Sequence, residues 1–235
     1  MYIVYTNSMA GILTHIIYAE KVRPRDGDFI VGASLADIDY LGVIERSKTH
    51  VDKDTYLHNP QGELNRLHNE LTENASKSLF DGLIFHSLTE HLWAKGIWVD
   101  SDSKYFSKAL KLWGDEILWD KLIDSAFISK AFAKYENKQL LKGVDMEAQR
   151  KWFKVLDIYL TQKSSKSLRE KLANMVNMPK LVIDSINITI ENELVNNEGV
   201  KEQLLKNLES SNSISIDSLI PQAQEAPIFT GINYG

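Results

Sequence analysis

The chain has 235 residues, 43% of them hydrophobic, and its 32 acidic and 27 basic side chains give a formal net charge of −5, a composition that supports one cored domain with at most an appendage. It contains no cysteine, which excludes disulfides and thiolate metal sites. No apolar run approaches the about 18 residues that span a bilayer, and Met1-Tyr2-Ile3-Val4-Tyr5 lacks the basic and long apolar regions of a secretory leader, so a soluble cytoplasmic protein is expected.

In chain order, apolar spacing predicts a first helix from about Gly11 to Val22, with His15 on the inner stripe beside Ile12, Ala19 and Val22. Asp26-Gly27-Asp28 is a turn or cap signal before the apolar run Phe29-Ile30-Val31-Gly32-Ala33, and Asp37 and Asp39 follow close to a helix end. His50 lies in the polar segment Lys48-Thr49-His50-Val51-Asp52, between two helical patterns. A helix from about Gln61 to Ser76 is expected next, with His58 and His68 at exposed positions. His86 and Glu90 then stand four residues apart, one turn of helix, on a stripe with Leu83 and Trp93, while His91 points to the side.

Helical spacing continues from Asp102 to about Tyr135, interrupted at Gly114, and from Met146 to Gln162. Ser164-Ser165-Lys166-Ser167 reads as a break and N-cap for a short helix to about Val176, closed by Met178-Pro179. Leu181 to Leu208 reads as one long acidic helix whose isoleucine-rich start is locally strand-like. The fold class is therefore all-α. Residues 1–209 form the helical domain, with a donor-bearing core at about 8–100 and further helices at about 102–209; residues 210–235, rich in Ser, Asn, Gln and Pro, form an irregular tail. Leu219, Ile220, Ile228, Phe229 and Tyr234 are apolar points at which that tail could dock on the body or on a neighbouring subunit.

The chemistry is N-terminal. All six histidines precede residue 92. A glutamate on a buried stripe is costly unless it is paired or binds a metal, and His15, Asp37, His50 and the His86/Glu90 pair supply imidazole or carboxylate donors from four separate segments. Helical proteins build His/Asp/Glu sites for zinc, manganese or iron from such sets. The same spacing also fits a core histidine bonded to a backbone carbonyl at residue 15, a helix cap at Asp37 and a solvated carboxylate at Glu90.

The order Thr14-His15, then Gly32-Ala33-Ser34-Leu35-Ala36-Asp37-Ile38, then Thr49-His50, then Phe80-Asp81-Gly82-Leu83-Ile84-Phe85-His86 with Glu90 and Trp93, resembles the zinc-dependent phospholipase C family, in its bacterial branch of metal-dependent hydrolase-like proteins. The resemblance covers roughly the first hundred residues. It implies a multi-helix bundle of that family's type with extra C-terminal helices, and His15, Asp37, His50, His86 and Glu90 as ligands of zinc, with manganese or iron as alternatives. It also implies that Asp37 contacts the attacking water, and that the substrate is a small-molecule or lipid phosphoester hydrolysed by metal-activated water. The chain departs from the family in lacking both a leading tryptophan and a later set of histidines, so one complete site with a partial second is expected rather than a three-metal cluster.

Between Lys130 and Lys180, twelve lysines and arginines face five acids, a local charge of +7 that leaves −12 for the rest. That segment suits an anionic substrate, but lysines at helical spacing are also what a solvated amphipathic face contains. Nucleic-acid binding is not expected, because it calls for a denser arginine and aromatic pattern. A His-Asp phosphohydrolase is disfavoured because no His-Asp dipeptide occurs. The other reading is a non-catalytic helical protein whose donors hold a structural metal or a buried polar network and whose C-terminal helices bind a partner.

Overall fold

The computed structural model describes residues 11–211 apart from 91, 92, 94, 98, 100, 123 and 164. Of the expected tail, residues 212–235 lie outside the described residues, as does the placement of His91, while Ser210 ends the last helix. Within them the chain is helical, with no strand beyond an isolated antiparallel bridge between Leu71 and Leu141.

Helix α1 (Ile12–Val22) leads into α2 (Gly27–Leu35), which Asp26 opens by accepting a hydrogen bond from Phe29 N at 3.0 Å. Two 3₁₀ segments follow, Ala36–Leu41 and Arg46–Lys48, then α3 (Lys53–His58) and α4 (Pro60–Asn69). Pro60 sits in the first turn of α4, where its missing N–H costs nothing, and Asn59 caps that turn. Next comes α5 (Lys77–Thr89), capped by Ser76. The second half comprises α6 (Phe106–Leu118), α7 (Ser125–Tyr135), α8 (Met146–Thr161), α9 (Lys166–Met175), α10 (Lys180–Thr189) and α11 (Glu198–Ser210).

Four sequence expectations need correction. The helix predicted over 61–76 stops at Asn69, because Leu71 turns away to pair with Leu141 and Ser76 is the cap of the next helix. Gly114 does not interrupt α6. It lies inside the helix, where a Cβ would come within 3.0 Å of the Trp93 ring, and the break falls later, at the 3₁₀ turn Trp119–Lys121. The long acidic helix is two helices joined through a π-helical turn, Ile190–Leu194. Its isoleucines are helical: Ile183, Ile186 and Ile190 face inward and Ile188 faces out, so periodicity overrides β-branching here. Finally, α5 ends at Thr89, so Trp93 is buried beyond the helix rather than on it.

Two glycines set the central packing. A Cβ on Gly32 would lie 1.9 Å from Leu79 O, and one on Gly82 would lie 2.0 Å from Phe29 O. Helices α2 and α5 therefore cross backbone to backbone, an approach that larger residues would block. Trp152 of α8 is buried against the same layer and donates its indole N–H to Ser34 O at 2.9 Å. Of the basic residues in 130–180, all but Arg169 are exposed, so the charged segment is a solvated face. Arg169 is buried and pairs with Glu116 at 2.6 Å and Asn187 at 2.9 Å. Among the described residues no helix is long and apolar enough to cross a membrane.

Candidate metal centre

The close crossing of α2 and α5 brings Ala33 O within 2.7 Å of His86 Nδ1. A carbonyl oxygen can only accept, so Nδ1 carries the proton and Nε2 presents a lone pair. His50 is also held at Nδ1. The turn Arg46–Lys48 places Arg46 O 3.3 Å from His50 Nδ1, with the Thr49 hydroxyl, which can donate or accept, nearer at 2.9 Å; Nε2 is a free lone pair in the tautomer that donates from Nδ1. The two Nε2 atoms then face one another at 3.1 Å. Such a contact holds either as a hydrogen bond, with His50 carrying its proton on Nε2, or, with both lone pairs presented, around a shared cation.

A charged imidazolium is disfavoured. Burial pushes His86 down to about 4, with Arg46 and Lys111 lowering it further against the opposing pull of Glu90 and Ala33 O. Burial also holds His50 well below the usual imidazole range, aided by His86 and Arg46. His15, on α1, stacks on His86 with ring centroids 3.6 Å apart; burial, then His86 and Lys111, hold it low as well. Its Nε2 is buried without a hydrogen-bond partner among the described residues, which is not the pattern of a satisfied core histidine.

The carboxylates complete two overlapping triads, His50/His86/Glu90 and His15/Asp37/His86, in each of which the donor atoms lie within 4.8 Å of one another. Glu90 Oε1 is 3.6 Å from His50 Nε2 and 3.7 Å from His86 Nε2, and Asp37 Oδ1 is 3.9 Å and 3.6 Å from the same atoms. Donors around a tetrahedral zinc with bonds near 2.0–2.1 Å stand about 3.3–3.5 Å apart. The separations here bracket that value, so the residues fit such an ion. All five residues singled out in the sequence are brought together. Asp37 does not cap a helix; it is buried within the 3₁₀ segment Ala36–Leu41. Burial pushes its carboxyl up to about 6 against the attraction of Lys111 and Arg46.

Sequence reading missed the groups around these donors. Arg46 pairs with Glu90 and stands 3.5 Å from Asp39 and 3.8 Å from Asp37. Asp39 is pushed up to about 6 by burial and by Asp37, with Arg46 opposing. Lys111 of α6 is buried and donates to Tyr40 OH at 3.0 Å. Asp115, one turn further along α6, accepts from Thr14 N and Thr14 Oγ1, each at 2.8 Å, and so holds the start of α1 beside His15. A faint signal existed for the last pair: Lys111 and Asp115 interrupt the inner stripe of Leu110, Trp113 and Leu118 at helical spacing. Nothing comparable marked Arg46. No protein family, curated protein or solved structure was found to match the chain.

Proposed function

We propose that the chain is a metal-dependent hydrolase of phosphoester substrates, with a cation held by His50, His86 and Glu90 and with His15 and Asp37 completing or extending the site. The observation that carries this reading is the convergence of His50 and His86 Nε2, 3.1 Å apart, with Glu90 Oε1 3.6 Å and 3.7 Å from them, while His86 keeps its Nδ1–H on Ala33 O. Zinc is the favoured ion, since imidazole and carboxylate donors suit it, with manganese or iron as alternatives. A bound zinc would supply Lewis acidity and bring the pKa of water toward neutrality. Asp37 is the base in this reading, its Oδ1 standing 3.6 Å and 3.9 Å from the two Nε2 atoms. Arg46 and Lys111 bring positive charge beside the donors, where it opposes the negative charge of phosphoryl oxygens. The phosphoester class rests on the family resemblance and on these two cations.

One observation favours a second reading. Arg46 already sits on Glu90, so the cluster is partly charge-compensated as a buried polar network, as a non-catalytic partner-binding protein would need. Elemental analysis after chelation and reloading with zinc or manganese separates the two, with His86→Ala as control. The hydrolase reading expects metal in the wild type, little in the variant, and metal-dependent turnover of bis(4-nitrophenyl) phosphate or 4-nitrophenyl phosphate. Equal metal content in both proteins removes His86 as a ligand. Bound metal without turnover of either ester favours the structural role.

A further inference from the structure

Beside the metal centre, on the far side of Lys111 and Tyr40, lies a cavity of about 330 Å³ between α6, α8, α9 and α10, at the small end of the range for small-molecule sites. Its walls are apolar, through Leu112, Val155, Leu172, Val176, Met178 and Ile186. Its charged lining is all of one sign: Lys104, Lys108, Lys111 and Arg169, with no acid among the lining residues. Arg169 is committed to Glu116 and Asn187, and Lys104 and Lys108 stand exposed. Lys111 differs from these. The residue is 8% exposed, and among the described residues its ammonium donates to the neutral Tyr40 hydroxyl at 3.0 Å with no carboxylate in contact, the attraction of Asp37, Glu90 and Asp115 reaching it from further off. A buried ammonium without a contacting counter-ion is costly, so the cavity has a place for an anion.

We infer that the cavity binds an organic anion with an apolar body, its anionic end on Lys111 Nζ and its body against Leu112, Val155, Leu172 and Ile186. Lys111 lines the cavity and is also the leading electrostatic partner of Asp37, so the anionic end would lie at the edge of the metal centre. As a statement about substrate, the inference rests on the hydrolase reading; the binding itself needs no metal.

The test is calorimetric titration of the full chain with decanoate, decyltrimethylammonium and 1-decanol, each below its micellar concentration. Decanoate is expected to bind one to one and about tenfold or more tighter than the cation, the difference of one charge-assisted contact. Lys111→Met, which keeps the unbranched stem, should lose about that factor for decanoate and leave 1-decanol unchanged. Ala173→Trp, which fills the cavity from α9, should abolish both, with circular dichroism verifying the fold. His86→Ala should bind decanoate as the wild type does, even if it has lost its metal. Absence of decanoate binding, equal affinity for the cation, or a Lys111→Met titration matching the wild type overturns the inference. Lys111-dependent decanoate binding in a chain that holds no metal would sink the hydrolase reading and leave this one standing.

Discussion

Gly82→Ala tests whether the helix crossing positions the site. In a helix interior the substitution is favourable by about 1 kcal/mol from backbone propensity alone. Here the added methyl would sit 2.0 Å from Phe29 O, whereas real contacts essentially never fall below 3.0 Å, so α5 must retreat from α2 by about 1 Å. The same retreat stretches the 2.7 Å contact between Ala33 O and His86 Nδ1 to about 3.7 Å, past hydrogen-bonding range. Overpacking costs about 1–3 kcal/mol and a buried carbonyl left unpaired about another 1–3. After the helix-propensity gain, the net destabilisation is about 1–5 kcal/mol, or a fall in Tm of about 2–20 °C for a chain of this length. Zinc affinity, read by competition with a chromogenic chelator, should fall about 10–100-fold, the usual effect of losing a partner that orients a ligand histidine. A Gly82→Ala protein with wild-type Tm and wild-type zinc affinity would refute the argument that backbone contact between α2 and α5 aims His86.

Arg46→Met should destabilise the metal-free protein by about 1–3 kcal/mol, because Asp37, Asp39 and Glu90 lose their shared cation at a partly exposed position. Zinc should then raise the Tm of the variant more than that of the wild type, and equal increments would count against Arg46 as the resident counter-ion. Asp115→Asn probes pH dependence. Burial pushes Asp115 up to about 7, opposed by its bonds from Thr14, so the folded state holds a proton that the unfolded chain releases near 3.8. Its contribution is therefore greatest below pH 4 and is lost as pH rises toward 7, by an amount on the order of 4 kcal/mol at most. Denaturant midpoints of wild type and variant should diverge across that window, with the variant gaining at high pH; parallel profiles would mean that Asp115 titrates normally. Trp152→Phe removes the bond to Ser34 O and part of a buried ring. It should cost about 1–3 kcal/mol, measurable as a lower midpoint with unchanged zinc affinity.

The helical class was legible because short-range spacing carries it, and so were the inward positions of His15, His86 and Glu90. Asp37 and His50 lie in segments without periodicity, and only the resemblance singled them out as ligands. What was illegible depends on where elements meet. Arg46 reaches three carboxylates only because its 3₁₀ turn folds over the end of α5, and no periodicity in Glu45-Arg46-Ser47-Lys48 announces that. Gly114 looked like a breaker because local propensity cannot see the Trp93 ring that makes a side chain there unwelcome. The basic stretch 130–180 is the solvated face that its helical spacing suggested, Arg169 apart. Net charge by segment counts solvated lysines, whereas the cations that reach the centre, Arg46 and Lys111, lie outside that segment.

Those two cations also decide what the centre attracts. At neutral pH Asp37 and Asp39, pushed up only to about 6, are ionised, and together with the Glu90 carboxylate paired to Arg46 they face Arg46 and Lys111 with one negative charge in excess. That excess favours a cation, and the paired Nε2 atoms of His50 and His86 say where it would go. A divalent ion reverses the sign and leaves the pocket with one positive charge in excess, in surroundings where burial weakens screening. For a phosphoryl group placed on the ligands themselves the order of events follows from that reversal: the bare cluster repels it and the loaded one draws it in, whereas the cavity beyond Lys111, whose charged lining is all cationic, takes its anion without the metal. A substrate with a negatively charged reacting group would therefore bind after the metal, and its affinity would rise with metal occupancy, whereas a neutral ester would show no such linkage. Measuring the affinity of inorganic phosphate at zero and saturating zinc separates these cases, and equal affinities would mean that the charge balance drawn from Arg46 and Lys111 is wrong.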